Sequence, residues 1–257
     1  MARLGFARRL AEADRCLIGT WLKIPALEPV EILADAGFDY IVIDQEHAPL
    51  TLEFAYQATV VAQGAGLSVI VRVPDRSGSH LQRLLDSGVD GILVPRVTTV
   101  EEATSSVRGM VFSPAGDRGL GTTSRAGRWG GLPREEYLRF GDEEVMRAVQ
   151  LEERAALERV DQILDVPGLN GVFLGMGDLG LSSGLPASDP SIQKLVDGLL
   201  DAARVRGIPA GTAVQTPEQA RQAAGRGYSY VMVSNDTSLL RSAATSTVAG
   251  FHGSLGS

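Results

Sequence analysis

Short hydrophobic runs alternate with helical patterns along most of the chain. The runs lie at residues 17–22, 38–43, 68–73, 91–94, 145–151, 171–174, 209–213 and 228–233. Runs of this length, bounded by polar residues, are typical of buried strands in a parallel sheet. Helix start and stop signals mark residues 29–36, 52–63, 79–85, 100–110, 153–164, 191–206, 217–224 and 236–250. The pattern therefore predicts a series of strand–helix units.

The number of units favours a closed barrel. A (β/α)8 barrel needs eight strand–helix units, and 257 residues is a common size for one such domain. We predict a single barrel domain over residues 1–257, with an N-terminal helix within 1–15 and a frayed tail at 252–257. The alternative is an open doubly wound sheet, which would carry a glycine-rich fingerprint after its first strand. The sequence there, Gly19-Thr20-Trp21-Leu22, is not such a fingerprint.

Composition narrows the expected partners and location. The net charge of −7 disfavours a nucleic-acid partner, because nucleic acids bind basic surfaces. No apolar run approaches the roughly 20 residues of a membrane span, and the basic start lacks a signal-like apolar core. Cys16 is the single cysteine, so an intrachain disulfide cannot form. We expect a cytoplasmic protein with no membrane partner.

One long segment interrupts the repeat. Residues 111–142 are rich in glycine, contain Arg118, Arg125 and Arg128, and show no strand pattern. A long irregular segment in a compact domain usually has a function or is mobile. Two interpretations stay open: a surface loop that crosses the barrel mouth, or an anion-attracting lid or subunit contact.

Candidate chemistry collects where the predicted strands end. The second strand stops at Asp44, which is followed by Glu46 and His47. In a barrel the carboxyl ends of all strands meet at one face, and barrel enzymes keep their active sites there. The residues that this rule brings together are Trp21, Asp44, His47, Arg72, Pro95, Glu152 and Asp178.

Two of these residues are candidate metal ligands. Glu152 and Asp178 follow the fifth and sixth strands, which are neighbours in the predicted barrel. Two carboxylates, with water and a chelating substrate, form the oxygen-rich site that Mg²⁺ or Mn²⁺ favours, and Co²⁺ or Zn²⁺ would also accept such ligands. The competing interpretation is an acid at a helix N-terminus, which is strong for Glu152. It explains Asp178 less well, because Gly175 and Gly177 let a ligand approach the backbone there.

Arg72 and His47 are the candidates for catalysis. Arg72 ends an apolar strand and needs a partner, either an ion pair with Asp44 or a developing oxyanion of the substrate. His47 follows a strand, whereas His80 falls on a helix and His252 in the tail. A histidine is the usual general base near neutral pH, with a hydrogen-bonded structural role as the alternative.

A set of motifs occurs in order along nearly the whole chain. They are Asp44-x-Glu46-His47-Ala48-Pro49, Val71-Arg72, Pro114-Ala115-Gly116-x-Arg118-Gly119-x-Gly121, Gln150-Leu151-Glu152 and Gly171-Val172-Phe173-Leu174-Gly175-x-x-Asp178-Leu179. Each motif alone is modest, but the ordered set is specific and resembles the HpcH/HpaI aldolases. These are class II, metal-dependent pyruvate aldolases, typified by 4-hydroxy-2-oxoheptanedioate aldolase.

The resemblance implies a reaction and roles for the central residues. The reaction is the reversible cleavage of a 4-hydroxy-2-oxo acid to pyruvate and an aldehyde. Glu152 and Asp178 would hold the divalent ion, and the ion would chelate the carboxylate and keto oxygen of pyruvate. Arg72 would stabilise the enolate oxygen. His47 would move the proton on the aldehyde-derived oxygen.

The same resemblance implies supporting roles for other residues. Asp86, by position alone an ordinary acid near a helix end, matches an acid that raises the basicity of the histidine. Gln150 and the backbone around Gly175 and Gly177 would hold the substrate, and Trp21 matches a position near the pocket. The family also implies a homo-hexamer, a trimer of dimers that exchange their last helix.

Departures and alternatives leave the substrate open. Met176 stands where the family usually has proline, and Gln45 stands where glycine or another residue is common. One alternative is an acyl-CoA lyase of the same superfamily, such as a malyl-CoA or citramalyl-CoA lyase, and another is a non-catalytic ligand-binding barrel. A Schiff-base mechanism would need a lysine at the mouth, where only Lys23 qualifies because Lys194 falls on a helix.

Overall fold

The computed structural model describes residues 4–254 and has a closed barrel of parallel strands at its centre. Its eight strands are β1 (Leu17–Leu22), β2 (Tyr40–Asp44), β3 (Ser68–Arg72), β4 (Gly91–Val94), β5 (Met146–Leu151), β6 (Gly171–Leu174), β7 (Ala210–Val214) and β8 (Tyr230–Asn235). Each strand pairs with its sequence neighbours, and β1 pairs with β8. The predicted (β/α)8 fold is confirmed. The open sheet is wrong, because the pairing of β1 with β8 leaves no free edge.

Most of the helices surround the barrel, whereas the first one covers the end where the strands begin and the last one projects outwards. They are α1 (Phe6–Glu12), α2 (Glu28–Asp35), α3 (Leu52–Gly64), α4 (Gly78–Asp86), α5 (Val100–Arg108), α6 (Arg134–Arg139), α7 (Arg154–Leu157), α8 (Val160–Leu164), α9 (Met176–Ser183), α10 (Pro190–Arg206), α11 (Pro217–Arg226) and α12 (Asp236–Ser254). Threonines 51, 99 and 216 begin α3, α5 and α11, because each hydroxyl accepts a backbone N–H three residues later.

Aromatic rings fill the inside of the barrel near the end where the strands begin. Phe6 of α1 packs on Tyr40 and Tyr230, with ring centroids 4.8 and 5.9 Å away. Gly19 and Gly211 make room for these rings, since a Cβ there would lie 2.4 Å from Tyr40 and 2.2 Å from Tyr230. A second apolar layer lies between the strands and the helices. The other end of the barrel, where the strands finish, contains the buried polar side chains of Asp44, Arg72, Gln150 and Glu152.

Two helical segments differ from the prediction. The pattern predicts one helix over residues 153–164, but the structure has α7 and α8, because Arg159 leaves helical geometry at φ −113° and ψ 16°. The pattern also misses α9, whose interior Gly177 and Gly180 lower its helix propensity. This helix begins two residues after β6 and carries Asp178 in its first turn.

The 111–142 segment is neither one irregular loop nor a cover for the barrel mouth. It contains a turn of 3-10 helix (Arg128–Gly130), α6 and the start of a π-helical turn (Phe140–Glu144). Ala126 N–H donates to the carbonyl of Asp86 at the end of α4, and Gly5 N–H donates to Glu144. These contacts place the segment at the end where the strands begin. The mouth-loop interpretation is therefore wrong, and the subunit-contact interpretation stays open.

The last helix projects away from the barrel. It continues to Ser254, beyond the predicted end at residue 250, so the predicted tail at 252–257 is wrong as far as residue 254. Residues 255–257 lie outside the described chain. Every residue from Leu239 to His252 is exposed, and Leu240 and Phe251 are 63% and 65% exposed. No helix among residues 4–254 has the length and apolar character needed to cross a membrane.

Candidate active site

An arginine–aspartate pair lies at the centre of the site. Arg72, the last residue of β3, donates from Nε to Oδ1 of Asp44 at 2.9 Å and from Nη2 to Oδ2 at 2.8 Å. Asp44 ends β2, and the register of the two strands sets the residues opposite each other. The guanidinium carbon also lies 4.0 Å from the ring centre of Trp21. The expected ion pair is present, and it fixes the direction in which Arg72 points.

Asp44 also organises the loop after β2. Its Oδ1 accepts the backbone N–H groups of Glu46 and His47, each at 3.2 Å, and its Oδ2 lies 2.8 Å from Nζ of Lys23. Burial by itself would raise the pKa of Asp44, but the hydrogen bonds and charges of Arg72 and Lys23 outweigh it and lower the pKa to about 2. Asp44 is therefore an anion at neutral pH.

Glu46 contacts three nitrogen-bearing side chains at the mouth. Its Oε2 lies 3.1 Å from Nη1 of Arg72 and 3.5 Å from Nε2 of His47, and its Oε1 lies 3.3 Å from Nε of Arg96. Glu46 is buried, whereas the His47 side chain is 54% exposed. The imidazole is thus held beside a carboxylate and remains open to a substrate.

Glu152 follows β5 directly, and its carboxylate faces the barrel mouth. Its Oε1 accepts the backbone N–H of Arg96 at 2.9 Å, and its Oε2 accepts a hydrogen bond from Nε2 of Gln150. Burial raises the pKa of Glu152 more than the bond from Gln150 lowers it, and the charges of Asp178 and Glu46 raise it further. A cation near these three carboxylates would be stabilised.

The alternative that Glu152 and Asp178 are merely acids at helix N-termini fails for Glu152 and holds in part for Asp178. For Glu152 it is wrong, because Glu153 is the residue that precedes α7 and the Glu152 carboxylate bonds elsewhere. Asp178 lies in the first turn of α9, where a helix N-terminus favours negative charge. Its side chain is exposed and its charge acts on Glu152. Glu152 and Asp178 follow the paired strands β5 and β6, so both acids belong to the same side of the mouth.

The backbone between β6 and α9 passes close to Glu152. A Cβ on Gly175 would lie 2.7 Å from Cβ and 2.8 Å from Oε2 of Glu152, so a larger residue would force the carboxylate aside. The first N–H groups of α9, at Met176, Gly177 and Asp178, have no acceptor within the helix. Such N–H groups at a helix start suit an anionic substrate group.

The donor set fits a divalent ion held by two carboxylates. Besides the carboxylates of Glu152 and Asp178, the site has a buried oxygen, Oε1 of Gln150, without a hydrogen-bond partner within the described chain. Buried oxygens left without donors are a cost that a hard cation would remove. Among residues 4–254, no three His, Cys, Asp or Glu side chains converge into a protein-only cage. Water and substrate would complete the ligand set, as the sequence predicts.

Arg96 is the residue at this site that the sequence interpretation missed. It follows Pro95 at the end of β4 and has a φ of 53°, which costs a residue other than glycine about 1 kcal/mol or more. This backbone conformation directs its N–H to Glu152 and its guanidinium to Glu46. The available signal was the strand-end rule that identified Arg72.

The structure does not bring Asp86 to His47 within one chain. Asp86 ends α4 beside the starts of the strands, and its Oδ1 accepts bonds from Oη of Tyr137 at 3.2 Å and from Nη2 of Arg118 at 3.4 Å. His47 lies beyond the opposite end of β2. A strand of five residues separates the two ends by roughly 16 Å. A contact between Asp86 and His47 would therefore need a second chain.

A closed barrel with a buried arginine, clustered carboxylates and an exposed histidine at the carboxyl ends of its strands defines a (β/α)8 enzyme. The HpcH/HpaI aldolase/citrate lyase family matches residues 17–243, and the chain belongs to this family. The predicted resemblance is confirmed.

Two named relatives that match most of the chain are aldolases. The chain is 38% identical over 250 residues to a 4-hydroxy-2-oxovalerate aldolase of Rhodococcus jostii, covering 96% of this chain and 95% of the relative. It is 33% identical over 249 residues to the 2-keto-3-deoxy-L-rhamnonate aldolase of Escherichia coli K12, covering 96% and 92%. An HpcH/HpaI aldolase structure from Desulfitobacterium hafniense matches with a TM-score of 0.90 at 28% identity, covering 96% of each chain.

These findings confirm an enzyme of the lyase class. The chain is an aldolase of a family in which dependence on a divalent metal is general. The non-catalytic barrel is thereby excluded. The names of the relatives differ in the substrate they specify, so the substrate of this chain is a separate question.

Proposed function

We propose that the protein reversibly cleaves a 4-hydroxy-2-oxo acid to pyruvate and an aldehyde. The observation that carries this proposal is Arg72, fixed by Asp44 at the mouth of the barrel to which Glu152 and Asp178 also belong. Cleavage leaves negative charge on the carbon next to a ketone, and cations held at the ketone oxygen stabilise that charge. Relatives named for 4-hydroxy-2-oxovalerate and 2-keto-3-deoxy-L-rhamnonate support the same class of reaction.

Glu152 and Asp178 would hold a divalent ion, with Mg²⁺ or Mn²⁺ as the natural choices for oxygen ligands. When bound, the ion supplies positive charge that polarises a ketone. Gln150 donates to Glu152 through its amide nitrogen and thereby keeps that carboxylate in place. The unpaired Oε1 of Gln150 is left to face a hydroxyl or water at the site.

The start of α9 would bind the carboxylate of pyruvate. The N–H groups of Met176 and Gly177 have no acceptor within the helix. The space next to Gly177 is open, because a Cβ added there would meet no atom within 4 Å. Gly175 lets this backbone approach Glu152. The Trp21 ring stacks on Arg72 and closes the space beside it. These contacts would orient the donor before any bond is broken.

Arg72 would stabilise the enolate oxygen. A guanidinium has five N–H donors, and Asp44 takes two of them in fixed positions. Nη1 faces the carboxylate of Glu46 at 3.1 Å. The two remaining N–H groups, one on each terminal nitrogen, can donate to a substrate oxygen without any movement of the side chain, so the stabilising charge is in place before it is needed.

His47 would move the proton in the cleavage step. Its ring takes the proton from the 4-hydroxyl, directly or through water, the C3–C4 bond breaks, and the electron pair of that bond forms the enolate of pyruvate. In the direction of synthesis His47 returns the proton to the new alkoxide. The 54% exposure of its side chain gives the aldehyde room, and the Glu46 carboxylate, 3.5 Å from Nε2, holds the ring at the mouth.

A Schiff base at Lys23 is less favoured. Nζ lies 2.8 Å from the buried Asp44 carboxylate, so the side chain is held in an ion pair. A nucleophilic lysine has to be a neutral amine. Lys23 would thus have to leave the ion pair before it could react.

Exchange of pyruvate methyl protons in D₂O, followed by NMR, tests the proposal. Exchange should need Mn²⁺ or Mg²⁺ and should be lost, together with Mn²⁺ binding, in Glu152→Ala. The control is Glu153→Ala, which removes the exposed neighbouring acid. A Glu152→Ala enzyme that still binds Mn²⁺ and exchanges protons would refute the assignment. Acyl-CoA thioesters tested in the same assay would show whether the chain belongs with the CoA lyases instead.

We also propose that the protein works as a homo-oligomer. The projecting α12 exposes Leu239, Leu240, Val248 and Phe251, and an isolated helix of this length is marginal in water. A second copy that covers these side chains would stabilise it. Light scattering should show fewer subunits per particle after truncation at Ser238 than in the full chain. The hexamer implied by resemblance is one outcome for the full chain, and an unchanged number of subunits after truncation would refute a role for α12.

A further inference from the structure

Gln45 is a buried polar side chain in the loop that leads from β2 to His47. It is 8% exposed and lies between Asp44 and Glu46 in the chain. Its backbone N–H donates to the carbonyl of Arg72 at 2.9 Å, next to the last pair of residues in the β2–β3 register. A buried amide needs hydrogen-bond partners. The partners of the Gln45 side chain therefore show what this loop is attached to.

The Gln45 amide joins the loop to α4. Its Nε2 donates to the carbonyl of Leu50 at 3.2 Å, and its Oε1 lies 2.9 Å from Nε2 of His80. The carbonyl of Leu50 can only accept, so it fixes which end of the amide is the donor. Oε1 then accepts from His80, whose ring carries a proton on Nε2. The charged imidazole donates from the same nitrogen, so protonation of His80 keeps the bond.

His80 lies where α4 begins, at the mouth of the barrel. This helix follows β3, and the N–H of His80 donates to the carbonyl of Ser77 at 3.0 Å in its first turn. Burial, together with the charge of Arg83, lowers the pKa of His80 more than the charge of Asp75 raises it, so the ring is neutral at neutral pH. A donor that is carried by a helix is held more precisely than one on a loop.

Two anchors thus hold the loop that carries His47. The first is Asp44, whose Oδ1 accepts the backbone N–H of His47 at 3.2 Å. The second is the side chain of Gln45, which ties the far end of the loop, at Leu50, to His80. His47 lies between the anchored residues. Loss of the second anchor would therefore leave the loop fixed on one side of His47 and free to shift on the other.

We propose that His80 is a positioning residue for His47 and acts through Gln45. The bond that His80 donates would hold the loop so that the His47 ring meets the 4-hydroxyl of the substrate in the geometry that proton transfer needs. His80 itself touches no reacting atom. This inference rests on the proposed aldolase function and on the role of His47 in it.

Steady-state kinetics of His80 variants test the inference. His80→Leu should lower kcat about 10- to 100-fold, because a displacement of about 1 Å is enough for such a loss. His80→Gln should restore most of kcat, since an amide nitrogen can donate in place of Nε2. The affinity for pyruvate, measured by calorimetry, should be unchanged in both variants. A His80→Leu enzyme with the kcat of wild type would overturn the inference and leave the aldolase proposal intact.

Double variants show whether His80 acts through the two other residues. Gln45→Met combined with His80→Leu should be no slower than the slower single variant, because either change breaks the same contact. In the His47→Ala background, His80→Leu should have no further effect on residual turnover, because the ring that it positions is gone. A merely structural defect would lower turnover by the same factor with and without His47, and that outcome would overturn the inference.

Two further measurements separate the possible failures. Ser79→Ala removes an exposed hydroxyl from the same turn of α4 and should keep the kcat of wild type. An equal loss of kcat in Ser79→Ala and His80→Leu would assign the effect to the helix start and overturn the inference. The absence of metal-dependent pyruvate proton exchange in the wild type would instead refute the aldolase proposal itself.

Discussion

Nζ of Lys23 lies 2.8 Å from Oδ2 of Asp44, the same oxygen that accepts a hydrogen bond from Nη2 of Arg72. The buried aspartate, at the end of β2, is thus shared by two cations from the strands on either side: Lys23, which follows β1, and Arg72, which ends β3. The arrangement makes Lys23 a partner of Asp44 and leaves it poorly placed to attack a ketone.

This relationship predicts the outcome of a trapping experiment. Borohydride added with pyruvate should leave the mass of the protein unchanged, because the ion pair with Asp44 keeps Lys23 from attacking the ketone. Lys23→Met should keep metal-dependent pyruvate exchange within about tenfold of wild type, since Arg72 still holds Asp44. A mass increase at Lys23 after reduction would overturn the metal-dependent mechanism.

The same aspartate makes stability depend on pH in a defined range. The pKa of Asp44 is about 2 in the folded protein, below the ordinary value of 3.8, so the folded state binds fewer protons there than the unfolded state. Its contribution of about 2 kcal/mol is complete above pH 4 and is lost as the pH falls towards 2. The difference in unfolding free energy between wild type and Asp44→Asn, from urea titrations, should shrink over this range.

An exposed pair provides the comparison for Asp44. Asp117 lies 2.6 Å from Arg108 at the surface, and solvent and salt screen such pairs. The difference between wild type and Asp117→Asn should change little over the same pH range. If the unfolding free energies of the two variants changed equally with pH, burial would not strengthen the effect of Asp44 ionisation on stability.

A conservative change at Arg72 should be costly. Lysine cannot reproduce the two bonds to Asp44 or stack on Trp21, so Arg72→Lys leaves the charge near the site but in the wrong place. We expect kcat to fall about 10²- to 10³-fold, as for the loss of one oxyanion donor. Steady-state kinetics with pyruvate exchange measure this loss. Near-normal exchange would show that Arg72 holds the fold and does not act on the enolate.

His47→Ala should separate proton transfer from binding. The side chain is exposed and contacts the carboxylate of Glu46, so its loss should leave the Arg72–Asp44 pair intact. Turnover should fall about 10²- to 10⁴-fold, the usual contribution of a general base, while pyruvate affinity measured by calorimetry persists. Loss of pyruvate binding would instead make His47 a ligand or a structural support.

The strand-end rule explains how much of this site could be predicted from the sequence. Residues 17–22, 91–94 and 171–174 form strands with the predicted bounds, because buried parallel strands carry a continuous apolar signal. That register places Asp44 opposite Arg72 and turns Glu152 to the same mouth. The location of these side chains follows from their position at strand ends, since all strands of the barrel end at one face.

Other features depend on interactions that the local pattern does not contain. The helix α9 forms despite Gly177 and Gly180, and Arg96 adopts a φ of 53°, because surrounding contacts outweigh local propensity. Asp86 was assigned by resemblance to a role beside His47. Its position at the other end of the barrel follows from the direction of α4, which the motif alone does not specify.

The position of Asp86 leads to a prediction about two chains. If Asp86 acts on His47, it does so across an interface, because one barrel separates the two residues by the length of β2. His47→Ala and Asp86→Asn should then each be weakly active alone. After random subunit exchange about half of the dimers are mixed, and each mixed dimer has one of its two sites intact. The mixture should therefore recover about a quarter of wild-type activity. Activity in the mixture that equals the average of the two variants would place the role of Asp86 within its own cluster with Arg118 and Tyr137.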